Sequence, residues 1–177
     1  VAPLVVCIDE MTDGVPEEHP GIRERLAREL ADKDAPTIET VANTIFPTSL
    51  WSPNAKSGAE ALFQRYERIW PYIRRCRANV NGVYFRRLMA YEPKGGSPMN
   101  QLERVVEMYH AGNHRRSALQ VAILDPTRDL TKQRQRGFPC LQQIAFSPTS
   151  GGDLAVTAFF GAQYLFERAY GNFLGLC

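Results

Sequence analysis

Apolar residues recur at helical spacing through the first two thirds of this chain and then gather into short unbroken runs, so helices are expected first and strands afterwards. Over residues 21–31, Ile22, Leu26 and Leu30 stand four apart among charges, which puts them on one face of an amphipathic helix. A turn at Asp34-Ala35-Pro36 leads into a second helical pattern over 37–45, stopped by Pro47. Residues 52–58 read as a loop. Residues 59–77 read as a long helix carrying Leu62, Phe63, Tyr66 and Ile69, kinked or broken near Pro71. Aromatic and basic residues interleave over 82–91, and 93–98 is a loop by composition. Asn100 then stands where it would cap a helix in which Leu102, Val105, Val106 and Tyr109 share a face.

After Gly112 the period changes. Residues 118–124, 141–146 and 154–160 are apolar runs of strand length, the last two joined by a hairpin turn at Ser150-Gly151-Gly152-Asp153, and a closing helix begins near Gln163. Ahead of all of these, the β-branched run 3–8 predicts a buried strand, followed by an acidic loop over 9–20. Helices, then a strand cluster, then a helix predict an α/β (α+β) layered domain, a mixed sheet packed by helices. No internal repeat or low-complexity segment interrupts it.

Composition narrows this picture. With 177 residues, 44% of them hydrophobic, the chain suffices for one domain with a substantial core. A formal charge of +2 from 21 basic and 19 acidic residues carries no global nucleic-acid signal, so direct nucleic-acid binding is not expected and any anion site must be local. Cys7, Cys76, Cys140 and Cys177 lie far apart with no CxxC pair, and three histidines are too few to complete zinc sets. Neither a metal site nor a disulfide framework is expected, and a reducing cytoplasm fits this cysteine usage. No apolar stretch of about 18 residues offers a membrane span. The start at Val1 without a leader pattern points to a processed or trimmed chain.

Three features carry candidate chemistry. Cys140 follows Pro139 at a strand start, just after the basic run 132–136; it reads either as a thiolate nucleophile favoured by nearby guanidinium groups or as a small buried hydrophobe. Arg115 and Arg116 stand just before a strand and read as a phosphate clamp or as a solvated charged pair; neighbours in a strand diverge, so both serve one anion only from a loop or across a subunit boundary. Asn172 lies in an apolar helical segment, where its amide either reads the edge of a base or caps a turn.

Their order resembles the thymidylate synthase superfamily, whose members attack C6 of a pyrimidine nucleotide with a cysteine thiolate and install a one-carbon unit at C5. Gly82-Val83-Tyr84 is similar to the family's Gly-x-Tyr loop, Asn100-Gln101-Leu102 to its Asp-Gln-Ile helix, and Arg115-Arg116 to the double arginine that reaches the nucleotide phosphate of the partner subunit. Pro139-Cys140 resembles the Pro-Cys-His nucleophile, and Tyr170-Gly171-Asn172 falls where the pyrimidine-reading asparagine is expected. The likeness covers roughly the second half of the chain. Leu141 replaces the histidine after the nucleophile, and Gly161 and Tyr164 stand where the family has an arginine and an aspartate. The family's later segment, with its sugar-binding histidine and tyrosine and much of its folate surface, is not in these 177 residues, which points to part of a longer protein or a shortened relative.

The resemblance implies a single thymidylate synthase-like domain, 1–177, divergent over about 1–80, and a homodimer. It implies one-carbon transfer, methyl or hydroxymethyl, to a pyrimidine nucleoside monophosphate, with 5,10-methylenetetrahydrofolate as cofactor. Cys140 would be the nucleophile, Glu39 and Tyr84 would support proton movement, Arg115 and Arg116 would hold phosphate, and Asn172 would orient the ring. The alternatives are a non-catalytic nucleotide-binding or assembly protein on the same scaffold, and an unrelated α/β domain in which Cys140 is core.

Overall fold

The computed structural model describes residues 4–9, 11–12, 15–52, 58–93, 95–134 and 137–177. Most of the predicted loop over 52–58, Lys94, and the end of the basic run, Gln135 and Arg136, lie outside them.

Helices fill the first part. A two-residue ladder, β1 (Met11–Thr12) with β2 (Val15–Pro16), precedes α1 (Pro20–Asp32), in which proline occupies the first turn without loss of a helical donor. The Ile22, Leu26, Leu30 stripe is only partly used: Leu30 is buried and Ile22 exposed. In α2 (Ile38–Ile45) the Thr37 hydroxyl caps the helix by accepting from the Thr40 amide at 3.1 Å, and Ile38, Val41 and Ile45 face inward. Helix α3 (Gly58–Ile73) contains Pro71 without breaking there, and it ends two residues later. Then come α4 (Tyr84–Met89) and α5 (Gln101–His110), where Asn100 caps as expected by accepting from Glu103 N at 3.1 Å.

The main sheet has three strands, β3 (Gln120–Ala122), β4 (Leu141–Pro148) and β5 (Leu154–Phe160), ordered β3-β4-β5, with the short α6 (Pro126–Asp129) between the first two. Its ladders are antiparallel throughout rather than mixed. The β4–β5 hairpin closes at the predicted turn, with Thr149 N–H donating to Asp153 O at 2.8 Å and Gly152 at φ +91°. The register shifts between Leu141 and Gln143, immediately after Cys140; such irregularities re-aim a strand's side chains. A π-helical turn, Leu165–Ala169, leads into α7 (Tyr170–Leu176).

Two further parts of the prediction change. The β-branched run is not a buried strand: over its described part Leu4, Val5, Val6 and Ile8 are exposed and outside any ladder among the described residues. An apolar run becomes a strand only where it finds a ladder partner. On α5, Val106 and Tyr109 are largely exposed, whereas Leu102 and Val105 pack against the core; Gln101 is the buried residue instead. Its amide binds the backbone like a fourth strand, donating to Arg87 O and Ala122 O at 2.9 and 2.8 Å and accepting from Ala122 N at 2.9 Å.

The core gathers Ile45, Leu62, Tyr66, Phe85, Val121, Ile123 and Leu141. Phe85 is fully buried, with the Tyr66 ring edge-on at 4.7 Å. Helix α7 lies flush on α2 because Gly171 and Gly175, one turn apart, present no side chain. A Cβ at Gly171 would meet Val41 Cβ at 2.6 Å and Ile38 O at 2.7 Å; one at Gly175 would meet Ala42 O at 2.6 Å. On an exposed helix Gly→Ala stabilises by up to ~1 kcal/mol. Here the sign reverses: Gly171→Ala is expected to destabilise by about 1–3 kcal/mol, read as a lower denaturation midpoint, because backbone and a β-branched side chain cannot yield.

Candidate functional site

A cavity of about 700 Å³ lies between α2, α3, the 79–84 segment and the start of α7. Its lining brings together Cys140, Tyr84 and Asn172, three residues singled out from the sequence. Cys140 is half-buried at this wall rather than sealed in the core.

The packing that aims Cys140 begins upstream. Gly82 sits at φ +133°, a conformation glycine adopts readily, and a Cβ there would strike the Phe138 ring at 2.7 Å. Phe138 is tilted against Tyr84 with centroids 5.1 Å apart, and its peptide bond to Pro139 is cis. On another side the Arg87 guanidinium lies 4.8 Å from the Phe138 ring centre. The Tyr84 oxygen accepts from the amides of Cys140 and Leu141 at 3.2 and 3.4 Å, which ties the phenol to the backbone at Cys140. Burial, and next the neighbouring Cys140, hold the Tyr84 phenol above its ordinary pKa, so it stays protonated near neutrality. With its oxygen taking two amides, its own O–H remains to donate.

Asn172 is 3% exposed and anchored on α7; its Nδ2 donates weakly to Gln163 Oε1 at 3.4 Å. Among the described residues four buried side-chain polar atoms lack a hydrogen-bond partner, and three of them, Asn43 Oδ1, Tyr66 OH and Gln163 Nε2, belong to residues of this cavity. Buried polar groups normally pair, so this concentration marks a place where a polar ligand or water completes the bonding.

The other candidates lie elsewhere. Glu39 is on α2 as expected but on its outer face, accepting from Arg23 Nη2 at 2.7 Å and outside the cavity lining. Arg23 also pairs with Glu18, which accepts from the Tyr170 hydroxyl at 2.6 Å; burial and Glu18 push that phenol up to about 12. A hydrogen bond to its own backbone, and next the one from Arg23, hold the Glu39 carboxyl below its ordinary pKa. Arg115 and Arg116 are exposed between α5 and β3, outside this cavity.

Two charged cavity residues were not anticipated. Glu167 and Arg168, on the π-helical turn, both line it, and neither has an ion-pair partner among the described residues. π-Helical turns often mark functional positions. Beside Cys140, Gly161 donates its N–H to Cys140 O at 3.1 Å, and the Gln142 amide fills the space next to it, 2.4 Å from where a Cβ would stand. The site thus combines a thiol, a phenol, an amide pair, a carboxylate and a guanidinium in one half-open cavity. Comparison with protein-family models, with curated proteins and with solved structures finds no match to this chain.

Proposed function

We propose that this chain performs one-carbon chemistry at C5 of a pyrimidine nucleoside monophosphate, through the thiolate of Cys140. The observation that carries the reading is the shared cavity of Tyr84, Cys140 and Asn172, residues far apart in sequence that the thymidylate synthase resemblance groups for chemical reasons.

In this reading the Cys140 sulfur adds to C6, the C5–C6 π pair moves toward the C4 substituent, and C5 becomes nucleophilic. Asn172 and Gln163 face the base edge with amide donors and acceptors, an arrangement compatible with uracil or cytosine. Tyr84 and Glu167 line the cavity as a protonated donor and an open carboxylate for proton movement at C5; Glu167 takes the part expected of Glu39. A methylenetetrahydrofolate would supply the one-carbon unit. Leu50, Ile69 and Ile73 give an apolar wall for its rings, and the unpartnered Tyr66 hydroxyl and Asn43 carbonyl oxygen offer polar contacts.

Arg168 takes the phosphate within the subunit, a role for which the residue at 161, a glycine, has no side chain. Arg115 and Arg116, free on the surface, would serve a second copy's nucleotide in a homodimer. A charge-assisted phosphate contact is worth about 1.5–3 kcal/mol. Arg168→Ala is therefore expected to weaken nucleoside monophosphate binding by roughly 10- to 100-fold by calorimetry, and to leave binding of the uncharged nucleoside within a few-fold. An equal loss for nucleoside and nucleotide would remove Arg168 from the phosphate.

The test of the activity is exchange of the C5 proton in heavy water, followed by NMR, for the uridine and cytidine monophosphates and their deoxy forms. Reversible addition of Cys140 labels C5 without any folate and names the base. The Gln142 amide packed beside Gly161 favours a second reading, a scaffold that binds nucleotide without turning it over. Tight nucleotide binding with no exchange on any of the four would select it.

A further inference from the structure

A second cavity, about 630 Å³, opens behind the segment 79–83, sharing Asn79, Gly82 and Val83 with the first. None of the residues assigned above to nucleotide chemistry lines it. Its volume lies within the range of small-molecule sites, ~300–1,000 Å³.

The charge of the chain is not evenly spread. Between Arg65 and Arg87 it carries seven arginines and one acid, Glu67. Arg74, Arg86 and Arg128 line this cavity. Arg86 is held in place: Glu67 grips its Nη1, and its guanidinium lies 5.0 Å from the centre of the Trp70 ring. Arg74, just past the end of α3, has no ion-pair partner among the described residues. Arg128 is committed to two carboxylates, Glu92 at 3.3 Å and Asp125 at 3.4 Å. A fixed guanidinium beside an uncommitted one suits the several oxygens of a phosphate.

The opposite requirement comes from Asp125, which lines the same cavity and is 3% exposed. Its Oδ1 accepts from the Thr127 amide and hydroxyl at 2.9 and 2.7 Å, while its Oδ2 accepts no hydrogen bond and has only Arg128 Nε at 3.4 Å. A buried carboxylate oxygen with an ion-pair neighbour but no hydrogen bond is under-satisfied, and a ligand O–H or N–H would complete it. We infer that this cavity binds a small phosphate ester with free hydroxyls, such as a sugar phosphate or the sugar-phosphate part of a nucleotide. Its phosphate rests on Arg74 and Arg86, and a hydroxyl donates to Asp125 Oδ2.

The inference stands apart from the reaction proposed for Cys140, and its test keeps the two separate. Trp51→Phe leaves Trp70, beneath Arg86, as the one fluorophore of its kind. Titration of that protein with ribose 5-phosphate, which has no base for Asn172, is expected to give a saturable fluorescence change. Affinity should fall at least tenfold on adding Arg74→Ala, which removes an exposed side chain, and likewise with Asp125→Asn, which keeps the capping shape. It should persist in Cys140→Ser with Asn172→Ala. Circular dichroism confirms that each variant is folded. The proposal is overturned by an absent response, by one that survives Arg74→Ala, or by one lost in the Cys140→Ser, Asn172→Ala protein, which would place the ligand in the first cavity. Equal affinity for inorganic phosphate would overturn the contact to Asp125.

Discussion

Cys140→Ser is expected to lower C5 proton exchange by at least about a thousandfold, ~4 kcal/mol in the barrier, while changing nucleotide affinity only a few-fold. Serine keeps the shape of the side chain, and the contact from Tyr84 goes to the backbone amides of residues 140 and 141, so the local frame survives the substitution. What is lost is the sulfur that the proposed addition to C6 requires: a serine hydroxyl is the weaker nucleophile, and the residue that follows, Leu141, is a fully buried hydrocarbon that cannot take its proton. A drop in exchange without a drop in binding therefore isolates the covalent step. Exchange retained by the serine protein would mean that another group adds to C6 and would end the role proposed for Cys140. Loss of both exchange and binding would instead make Cys140 part of the scaffold, and a lower denaturation midpoint would accompany it.

What was readable in the sequence, and what was not, follows from how far each signal reaches. Helices α1, α2, α3 and α5 and the β4–β5 hairpin were visible because their spacing, caps and turn residues are local; Asn100 and Gly152 act where the chain suggested. The general α+β character followed from their order. Cys140, Tyr84 and Asn172 were singled out by a resemblance in order, and the fold brings all three to one cavity. Glu39 shows the limit of assigning a helix without its face: with Ile38, Val41 and Ile45 inward, position 39 turns outward to Arg23. Glu167 and Arg168 were missed because the π-helical turn has no periodicity that tells inward from outward. The contact of α7 with α2 carries no local signal either: it rests on Gly171 and Gly175, four apart, where a Cβ would meet α2. The arginine-rich stretch from 65 to 87 disappeared into a total that the acidic residues elsewhere nearly balance.

Removing the Asp129 carboxylate is expected to destabilise the fold more than most single substitutions, by about 3–5 kcal/mol for Asp129→Ala, because it strands a buried charge. Asp129 holds Arg87 with both oxygens, Oδ1 lying 2.9 Å from Nη2, and its side chain is 2% exposed against 11% for that of Arg87. Arg87 Nη1 also donates to Ile123 O at 2.6 Å, so one guanidinium fastens α4 to the end of β3 and to α6, elements 36 to 42 residues away in sequence. Nothing local announces such a pair. The same guanidinium lies over Phe138, which packs on Tyr84 two residues before Cys140, so the lesion reaches the Cys140 wall of the cavity through contacts rather than through charge at the site. Urea denaturation of Asp129→Ala, compared with Arg87→Met and with the double variant, tests this by a thermodynamic cycle. The double variant should recover much of the loss, since a methionine in place of the guanidinium leaves no buried ion without its partner. Additive losses would show that the two side chains act separately and that the Arg87–Asp129 pair is not what joins α4 to α6.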